Sequence, residues 1–329
     1  MNKTYIILGG NGVFGVHTAL YLLKHANPKK VICVGRNPEK ISAFTLDVGK
    51  GDARYEYRQI HIVHEQDRLF DLFDKQRPDV IINFAALAYA TSWHRSWRYY
   101  ETNVTTLARM TEGLSNRDYL RRWIQIGSSE LYGSVETPAT EETVLRPTSP
   151  YAVSKAAGDM HLQSLIVQNF PMNILRPSNA YGPGQQMYRV IPRVVMCGLM
   201  GKKLPLQGGG KAKKSYIHAQ DLARAIYLVD EKAPLGKIYN VGPKNPVSIL
   251  EIVEKVARII GIQMDDLVDI VPGRAGEDSQ YWLDSSLINR DIGWEPGISL
   301  EKGLEDTVSW GRRYIGFLNN APTEYTLYA

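Results

Sequence analysis

The segment TYIILGGNGVFG, residues 4–15, places a glycine-rich turn between a short apolar strand and a helix. Gly10, Gly12 and Gly15 have the spacing G-x-G-x-x-G, and Gly9, Gly12 and Gly15 have the related spacing G-x-x-G-x-x-G. Glycine at such a turn lets the backbone approach a pyrophosphate, which then meets the free amides at the helix N-terminus. This context predicts a dinucleotide-binding unit, and an ordinary strand-to-helix turn is the alternative.

Apolar, β-branched runs alternate with longer helix-compatible stretches through the first half of the chain. We predict strands at 4–8, 31–34, 55–63, 79–86, 121–127 and 172–176, and helices at 13–26, 221–232 and 248–261. Such alternation produces βαβ units and a parallel sheet with helices on both faces. We therefore predict a doubly wound α/β fold of Rossmann type with a smaller C-terminal substrate-binding lobe. The predicted dinucleotide-binding domain is 1–177, to which the chain returns at 216–245, and the lobe is 178–329.

Composition narrows the class of protein. A chain of 329 residues with 44% hydrophobic and 22% charged residues is ordinary for a soluble globular protein. A net charge of +5 without a basic tail argues against nucleic-acid binding. The N-terminal apolar run is too short for a signal peptide or a membrane span, and Cys33 and Cys197 are expected to be buried free thiols. We therefore expect a cytoplasmic protein. We expect no metal site, because neither the histidines nor the cysteines have metal-ligand spacing.

The end of the second predicted strand bears on the choice of cofactor. Proteins that bind NAD usually place an acidic residue there, which holds the ribose 2′-hydroxyl. The strand VICV is followed by Gly35 and Arg36 instead. A guanidinium suits the 2′-phosphate of NADP, which it can bind through two parallel hydrogen bonds. The sequence favours NADP, with NAD as the alternative and a solvated surface arginine as the other interpretation of Arg36.

Two short segments carry candidate catalytic side chains. In QIGSSELYGS, Ser128 and Glu130 follow a predicted strand, and in SPYAVSK, Tyr151 and Lys155 share one face of a helix because they are four residues apart. Tyrosine is a weak base at neutral pH, and lowering its pKa by about three units requires about 4 kcal/mol. A neighbouring ammonium acts in that direction. A surface Tyr–Lys pair and a carboxylate that caps local amides are the alternatives.

The chain resembles the extended short-chain dehydrogenase/reductase family, whose members modify nucleotide-linked sugars. The resemblance lies in GGNGVFG, NFAA (83–86), Asn103 in ETNV, SSELYG (128–133), YAVSK, RPSNAYGPGQ (176–185) and DIGWEP. It implies that Ser128 holds the reacting sugar oxygen, that Tyr151 is the acid/base, and that Lys155 bonds the nicotinamide ribose and tunes Tyr151. The implied cofactor-binding residues are Gly9, Gly12, Val13, Phe14, Gly15, Arg36, Ala85, Ala86, Tyr151 and Lys155.

The same resemblance implies a substrate, a nucleotide-diphosphate sugar. Its implied binding residues are Ser129, Asn179, Lys214 and Arg274. Lys214 stands where relatives usually have arginine, and His61 replaces an aspartate that normally meets the adenine. The loop 87–97, which helps to shape the sugar site, also differs from the common pattern. The family commonly forms homodimers through two helices, here the helices near 99–114 and 151–168.

The spacing of Ser128 and Glu130 resembles that of sugar-nucleotide 4,6-dehydratases, and SELYG resembles the GDP-mannose 4,6-dehydratases in particular. In these enzymes the glutamate removes a proton from carbon 5 after carbon 4 has been oxidised. The segment also resembles GDP-4-keto-6-deoxymannose reductases, and a related glutamate occurs in UDP-glucuronate decarboxylases. A 4,6-dehydratase is therefore the first hypothesis. A 4-epimerase or 4-keto-6-deoxy sugar reductase, a decarboxylase, and a dinucleotide-binding sensor or scaffold without turnover are the alternatives.

Overall fold

The computed structural model describes residues 2–88, 95–272 and 280–321. In chain order, its strands are β1 (Thr4–Leu8), β2 (Lys30–Gly35), β3 (Tyr55–Gln59), β4 (Val80–Asn83), β5 (Arg122–Ile126), β6 (Met172–Pro177), β7 (Asn179–Tyr181), β8 (Leu204–Gln207), β9 (Lys213–Lys214), β10 (Tyr216–His218), β11 (Ile238–Val241), β12 (Val247–Ser248), β13 (Val268–Val271) and β14 (Gln280–Tyr281). Seven of these strands form the main sheet, in the order β11-β6-β5-β4-β1-β2-β3.

The helices lie on both faces of this sheet and in the C-terminal part of the chain. They are α1 (Val13–His25), α2 (Ser42–Thr45), α3 (Gln66–Gln76), α4 (Trp97–Tyr100), α5 (Thr106–Leu114), α6 (Pro150–Ser164), α7 (Val190–Leu199), α8 (Ala219–Lys232), α9 (Ile249–Ile260), α10 (Met264–Leu267), α11 (Ser286–Ile292) and α12 (Leu300–Leu318). A π-helical turn, Glu101–Thr105, joins α4 to α5, and a 3-10 turn, Ser129–Tyr132, follows β5.

All pairings within the main sheet are parallel. Alternate residues of β1 enter different cores: Tyr5 and Ile7 pack on one face, and Ile6 and Leu8 pack on the other. A strand covered on both faces has to be apolar throughout, which explains why TYIIL is continuous rather than alternating. The doubly wound Rossmann-type fold predicted from the sequence is confirmed.

The predicted strands and helices are confirmed, with corrections at two ends. The strand predicted at 79–86 ends at Asn83, because the Asn83 side chain accepts a hydrogen bond from the amide of Ala85 (3.1 Å) and turns the chain out of the sheet. The strand predicted at 55–63 ends at Gln59. The amides of His61 and Val63 instead bond side chains of the following turn.

The C-terminal part of the chain builds small sheets around a separate core. Strand β10 pairs with β7, β13 pairs with β8, and β9 pairs with β12 and β14. Helices α7, α9 and α12 pack together over these strands. Ser248 and Glu251 form the capping box that begins α9, as their spacing predicts. Strand β11 joins the main sheet beside β6, while the division into domains at residue 177 stays a prediction.

Two further sequence expectations concern cysteines and membranes. Cys33 and Cys197 are both free thiols; Cys33 is buried as expected, but Cys197 is only half-buried at the end of α7. Burial raises the pKa of the Cys33 thiol to about 12. None of the helices in the described parts of the chain has both the length and the apolar character that a membrane span requires.

Candidate active site

The glycine turn after β1 is closely packed against its neighbours. Gly9 has a φ of +76°, and a Cβ built there would lie 2.9 Å from the backbone nitrogen of Ala85. A Cβ on Gly15 would lie 2.6 Å from the Cα of Gly10. Helix α1 begins at Gly12 without a side-chain cap, so its first amides face the turn. Close backbone approach and uncapped amides fit the pyrophosphate of a dinucleotide.

The other predicted cofactor residues surround this turn. Val13 is buried and Phe14 is half-buried in the first turn of α1, and Phe14 packs against the core on that face of the sheet. Ala85 and Ala86 are half-buried and follow β4. The structure therefore brings the glycine turn and the two alanines together, while their contact with a cofactor stays a prediction.

The end of β2 is crowded at the position where an acidic side chain is usual. A Cβ on Gly35 would lie 2.8 Å from the Tyr57 hydroxyl and 3.1 Å from the Cβ of Asn11. Arg36 follows as an exposed residue, and its carbonyl accepts a hydrogen bond from Gln59 Nε2 (3.1 Å). Lys40 belongs to the same loop. Burial is the main cause that lowers the pKa of its ammonium, and the positive charge of Arg36 lowers that pKa further. Two cations therefore approach each other beside the strand end, and sequence analysis named only Arg36.

His61, which replaces the aspartate expected near the adenine, lies just beyond β3. Its Nδ1 accepts a hydrogen bond from the amide of Val63 (3.3 Å), and its ring stacks on that of His64 with 4.4 Å between centroids. Burial, followed by the charges of His64 and Arg36, lowers the pKa of His61. A neutral imidazole whose Nδ1 is an acceptor carries its proton on Nε2, so this position offers a donor where aspartate would offer an acceptor.

Ser128 begins the 3-10 turn that carries Glu130. Its hydroxyl oxygen accepts a hydrogen bond from the amide of Glu130 (3.2 Å), which fixes the two residues relative to each other. Ser128 and Ser129 are buried, and Glu130 is half-buried. The turn stands at the carboxyl end of β5, the edge at which doubly wound sheets bind their ligands.

Helix α6 presents Tyr151 and Lys155 to the same edge. The helix begins at Ser149, whose hydroxyl accepts from the amide of Ala152 (3.1 Å). Lys155 is buried, and its Nζ donates to the carbonyl of Ile126 at the end of β5 (2.6 Å). This bond holds the helix against the strand that leads to Ser128.

Asn103 supports this helix from the π-helical turn. Its Nδ2 donates to the hydroxyl of Ser154 (2.9 Å) and to the carbonyl of Leu87 (3.1 Å), and its Oδ1 accepts from the amide of Leu87 (3.0 Å). Ser154 in turn donates to the carbonyl of Tyr151 (2.7 Å). A buried amide thus joins α6 to the loop after β4.

The electrostatics of Tyr151 show which side chains surround it. Burial raises the pKa of its hydroxyl most, the Glu130 carboxylate raises it further, and a hydrogen bond with the Ser128 side chain lowers it. Burial also lowers the pKa of Lys155, which the Asp159 carboxylate opposes. The structure therefore brings Ser128, Glu130 and Tyr151 together and places Lys155 one helical turn away, although their catalytic roles stay predictions.

Two of the predicted substrate residues, Asn179 and Lys214, lie on neighbouring segments, and a third, Ser129, lies in the 3-10 turn after β5. Asn179 begins β7, and its amide donates to the carbonyl of Ser215 (3.1 Å), the residue after Lys214. Lys214 lies in β9 and pairs with Val247 of β12. The backbones of Asn179 and Lys214 are therefore close in space. Arg274 and part of the 87–97 loop lie outside the described residues.

The structure also shows a buried polar cluster that sequence analysis missed. Asp159 and Arg176 form an ion pair of 2.9 Å beneath the site, and Arg176 also bonds Tyr132. Asp159 lies four residues after Lys155, on the same helical face, and this spacing was the available signal.

Comparisons with known proteins agree with this geometry. Residues 5–242 match the model of the NAD dependent epimerase/dehydratase family. The chain is 28% identical over 328 residues to a dTDP-glucose 4,6-dehydratase of Haemophilus influenzae, covering 93% of this chain and 96% of that protein. It is 26% identical to a trifunctional UDP-glucose 4,6-dehydratase/UDP-4-keto-6-deoxy-D-glucose 3,5-epimerase/UDP-4-keto-L-rhamnose-reductase of Arabidopsis thaliana; the match covers 94% of this chain but about half (47%) of that protein.

Among solved structures, the chain is similar to a dTDP-glucose 4,6-dehydratase of Bacillus anthracis in complex with NAD. The TM-score is 0.87 at 29% identity, and the match covers 96% of this chain and 99% of the other. The likeness therefore extends through the main sheet and the C-terminal part of the chain. These relatives are named for dTDP and UDP sugars, so the motif-level likeness to GDP-mannose enzymes stays a prediction.

Proposed function

Because the chain belongs to the NAD dependent epimerase/dehydratase family, we propose that it is a nucleotide-sugar 4,6-dehydratase. The observation that carries this proposal is the placement of Glu130. Its carboxylate lies close enough to the Tyr151 hydroxyl to raise the pKa of that group, and Ser128 begins the turn on which it sits. Elimination after oxidation requires a second base beside the acid/base tyrosine, and a carboxylate can serve as that base.

Oxidation at carbon 4 is assigned to Ser128 and Tyr151. Ser128 holds the carbon 4 oxygen, and Tyr151 takes the proton of its hydroxyl. Lys155 stabilises the ionised tyrosine from one helical turn away, held by its bond to Ile126. A nicotinamide dinucleotide held by the glycine turn, Tyr151 and Lys155 would supply reversible hydride transfer to this chemistry.

Elimination is assigned to Glu130. The new ketone acidifies the hydrogen on carbon 5, and the Glu130 carboxylate removes it as a proton. The bond between carbon 6 and its oxygen then breaks, and the proton held by Glu130 leaves with that oxygen as water. A hydride delivered to carbon 6 and a proton delivered to carbon 5, which balances the proton that Tyr151 took from the carbon 4 hydroxyl, would complete the reaction, so the sugar loses water without net oxidation or reduction.

The substrate proposed is a nucleotide-diphosphate sugar. Asn179, Lys214 and Arg274 would meet the diphosphate, and Ser129 would contact the sugar. The dTDP and UDP relatives support this class of substrate and leave the nucleobase to experiment.

For the cofactor, we propose NADP. The similar Bacillus anthracis structure was solved with NAD. In this chain, Gly35 supplies no carboxylate to hold the 2′-hydroxyl of NAD, and Arg36 and Lys40 are two cations of the loop that follows, close enough for the charge of Arg36 to lower the pKa of Lys40. A 2′-phosphate would be attracted by both cations.

A homodimer through α4, α5 and α6 is proposed as the assembly. Apolar side chains are exposed on α4 and α6: Trp97 (59% exposed), Tyr100 (38%), Val153 (38%) and Met160 (57%). Helices α4 and α6 contact each other, so these exposed residues lie on neighbouring helices. An exposed apolar patch of this kind is typical of a protein interface.

The test is incubation of the purified protein with GDP-, UDP-, dTDP- and CDP-hexoses, followed by mass spectrometry. Loss of the mass of one water from a single nucleotide sugar is expected, and Tyr151→Phe is the control that should abolish it. Interconversion without a change of mass would replace the proposal by a 4-epimerase. Turnover of 4-keto sugar nucleotides only with added NADPH would replace it by a reductase.

A further inference from the structure

A buried hydrogen-bonded chain lies directly beneath the candidate active site. Arg176 Nε donates to Asp159 Oδ2 (2.9 Å), Arg176 Nη1 donates to the hydroxyl of Tyr132 (2.8 Å), and that hydroxyl donates to Oδ1 of Asn240 (2.8 Å). All four residues are at most 2% exposed. We call Asp159, Arg176, Tyr132 and Asn240 the Asp159 network.

The Asp159 network contacts each segment that carries a candidate catalytic side chain. Asp159 lies one helical turn beyond Lys155 on α6. A Cβ on Gly127, the residue before Ser128, would lie 3.2 Å from Arg176 Cγ and 3.3 Å from Asp159 Oδ2. Tyr132 ends the 3-10 turn that holds Glu130. Side-chain hydrogen bonds of the network therefore join α6, β6, the 3-10 turn and β11, and the network packs against the backbone at Gly127.

A buried ion pair is weak evidence for stability, because desolvation of both charges offsets their attraction. Here Arg176 makes a second hydrogen bond, to the hydroxyl of Tyr132, whose ring packs 5.4 Å from the Arg176 guanidinium carbon. Asn240 is held in turn: its Nδ2 donates to the carbonyl of Ala139 (2.8 Å), and its amide donates to Glu141 Oε1 (2.7 Å). A buried chain of hydrogen bonds of this kind fixes the relative positions of the segments that it joins.

We propose that the Asp159 network holds Glu130 in register with Tyr151 and Lys155, so that Tyr132 and Asp159 are positioning residues for the two halves of the reaction. This inference rests on the proposed dehydratase function. Tyr132 belongs to the turn of Glu130, so it governs elimination. Asp159 belongs to the helix of Tyr151 and Lys155, so it governs oxidation at carbon 4.

Tyr132→Phe is the first test, because it removes one hydroxyl and keeps the buried ring. The nucleotide sugar that the wild type dehydrates is mixed with the variant, quenched at intervals and reduced with borodeuteride. Mass spectrometry then separates sugar that was only oxidised from sugar that also lost water. We expect water loss about tenfold slower, with oxidation at carbon 4 within about twofold of wild type, so that the oxidised hexose accumulates.

Tyr5→Phe is the matched control. Tyr5 is also buried, and its hydroxyl also donates a hydrogen bond of 2.8 Å, to Asp230 at the opposite edge of the sheet. It should leave both steps within about twofold of wild type. If Tyr132→Phe slows both steps equally, or neither, the positioning role of Tyr132 is wrong.

Asp159 is tested by a pair of substitutions. Asp159→Asn should slow oxidation about tenfold or more, and Asp159→Glu should recover part of that loss by restoring the charge opposite Arg176. Equal losses in both variants would reduce Asp159 to a packing role. If Asp159→Asn does not fold, Tyr132→Phe still decides the proposal. A wild-type protein that releases water from no sugar nucleotide would instead contradict the proposed function.

Discussion

Two tyrosines at opposite edges of the main sheet have similar surroundings but different partners. Tyr5, near the amino end of β1, donates to Asp230 (2.8 Å), and Lys3 and Arg122 approach the same carboxylate at 2.9 and 3.8 Å. Tyr151, at the carboxyl edge, faces the Ser128 hydroxyl and the Glu130 carboxylate. Burial is the first cause of a raised pKa for both hydroxyls, and a carboxylate is the second.

The two edges of the sheet differ in what their charged side chains contact. At the amino edge, two cations and a tyrosine hydroxyl converge on one buried carboxylate, so the cluster is closed and ties β1, β5 and α8 together. At the carboxyl edge, Lys155 bonds a backbone carbonyl, and Glu130 stands on a separate turn. The same types of residue therefore form a closed ion-pair cluster at one edge and line the candidate active site at the other.

The largest expected effect separates the two tyrosines. Tyr151→Phe should lower the rate of oxidation at carbon 4 by about a thousandfold, because it removes the proton acceptor. Tyr5→Phe should leave that rate within about twofold and lower the free energy of unfolding by about 1–2 kcal/mol, through loss of a hydrogen bond to a charged group. Quenched-flow mass spectrometry and urea unfolding measure the two quantities. Equal activity losses would show that the two edges do not differ as argued.

The next effect separates two carboxylates. Glu130→Gln should lower the rate of water loss by about a hundredfold or more while oxidation at carbon 4 continues. Glu231→Gln, which disturbs an ion pair of 2.8 Å with Lys3 at the amino edge, is the control and should leave both steps unchanged. An unaltered rate of water loss in Glu130→Gln would assign Glu130 a structural role.

Local sequence patterns predict those parts of the site that lie within one segment. The glycine turn, the Ser128–Glu130 spacing and the Tyr151–Lys155 spacing are each set by neighbours a few residues apart, so they are visible in the chain. The Asp159 network is not, because Tyr132 and Asn240 are 108 positions apart and meet only when β11 joins the sheet beside β6. The crowding at the end of β2 is also not visible in the sequence, because Tyr57 reaches Gly35 from the next strand.

A third experiment compares cations at the two edges. Arg36→Ala should weaken binding of NADP by about tenfold or more and leave binding of NAD nearly unchanged, because only NADP carries the 2′-phosphate. Lys40→Ala should act in the same direction with a smaller effect. Arg121→Ala removes an exposed arginine from the amino edge and should change neither affinity. Calorimetry with both dinucleotides gives the values; equal losses for NADP and NAD would contradict a 2′-phosphate site.

The smallest expected effect is a shift in pH dependence, and it tests whether Glu130 and Tyr151 share one electrostatic site. Oxidation at carbon 4 needs the ionised tyrosine, so its rate rises with pH through the pKa of Tyr151. The Glu130 carboxylate raises that pKa, and Glu130→Gln removes the charge. The rise should therefore move to lower pH in the variant.

The charges of Arg189 and Asp159 also change the pKa of Tyr151, but they do so in both proteins, so the direction of the shift reports Glu130. The rate of formation of the oxidised hexose, trapped with borodeuteride across a series of buffers at constant ionic strength, measures it. Glu231→Gln again serves as the control, because its charge lies at the other edge of the sheet. A profile that stays in place in Glu130→Gln would mean that the two groups are too far apart to form one site, and elimination would then need another base.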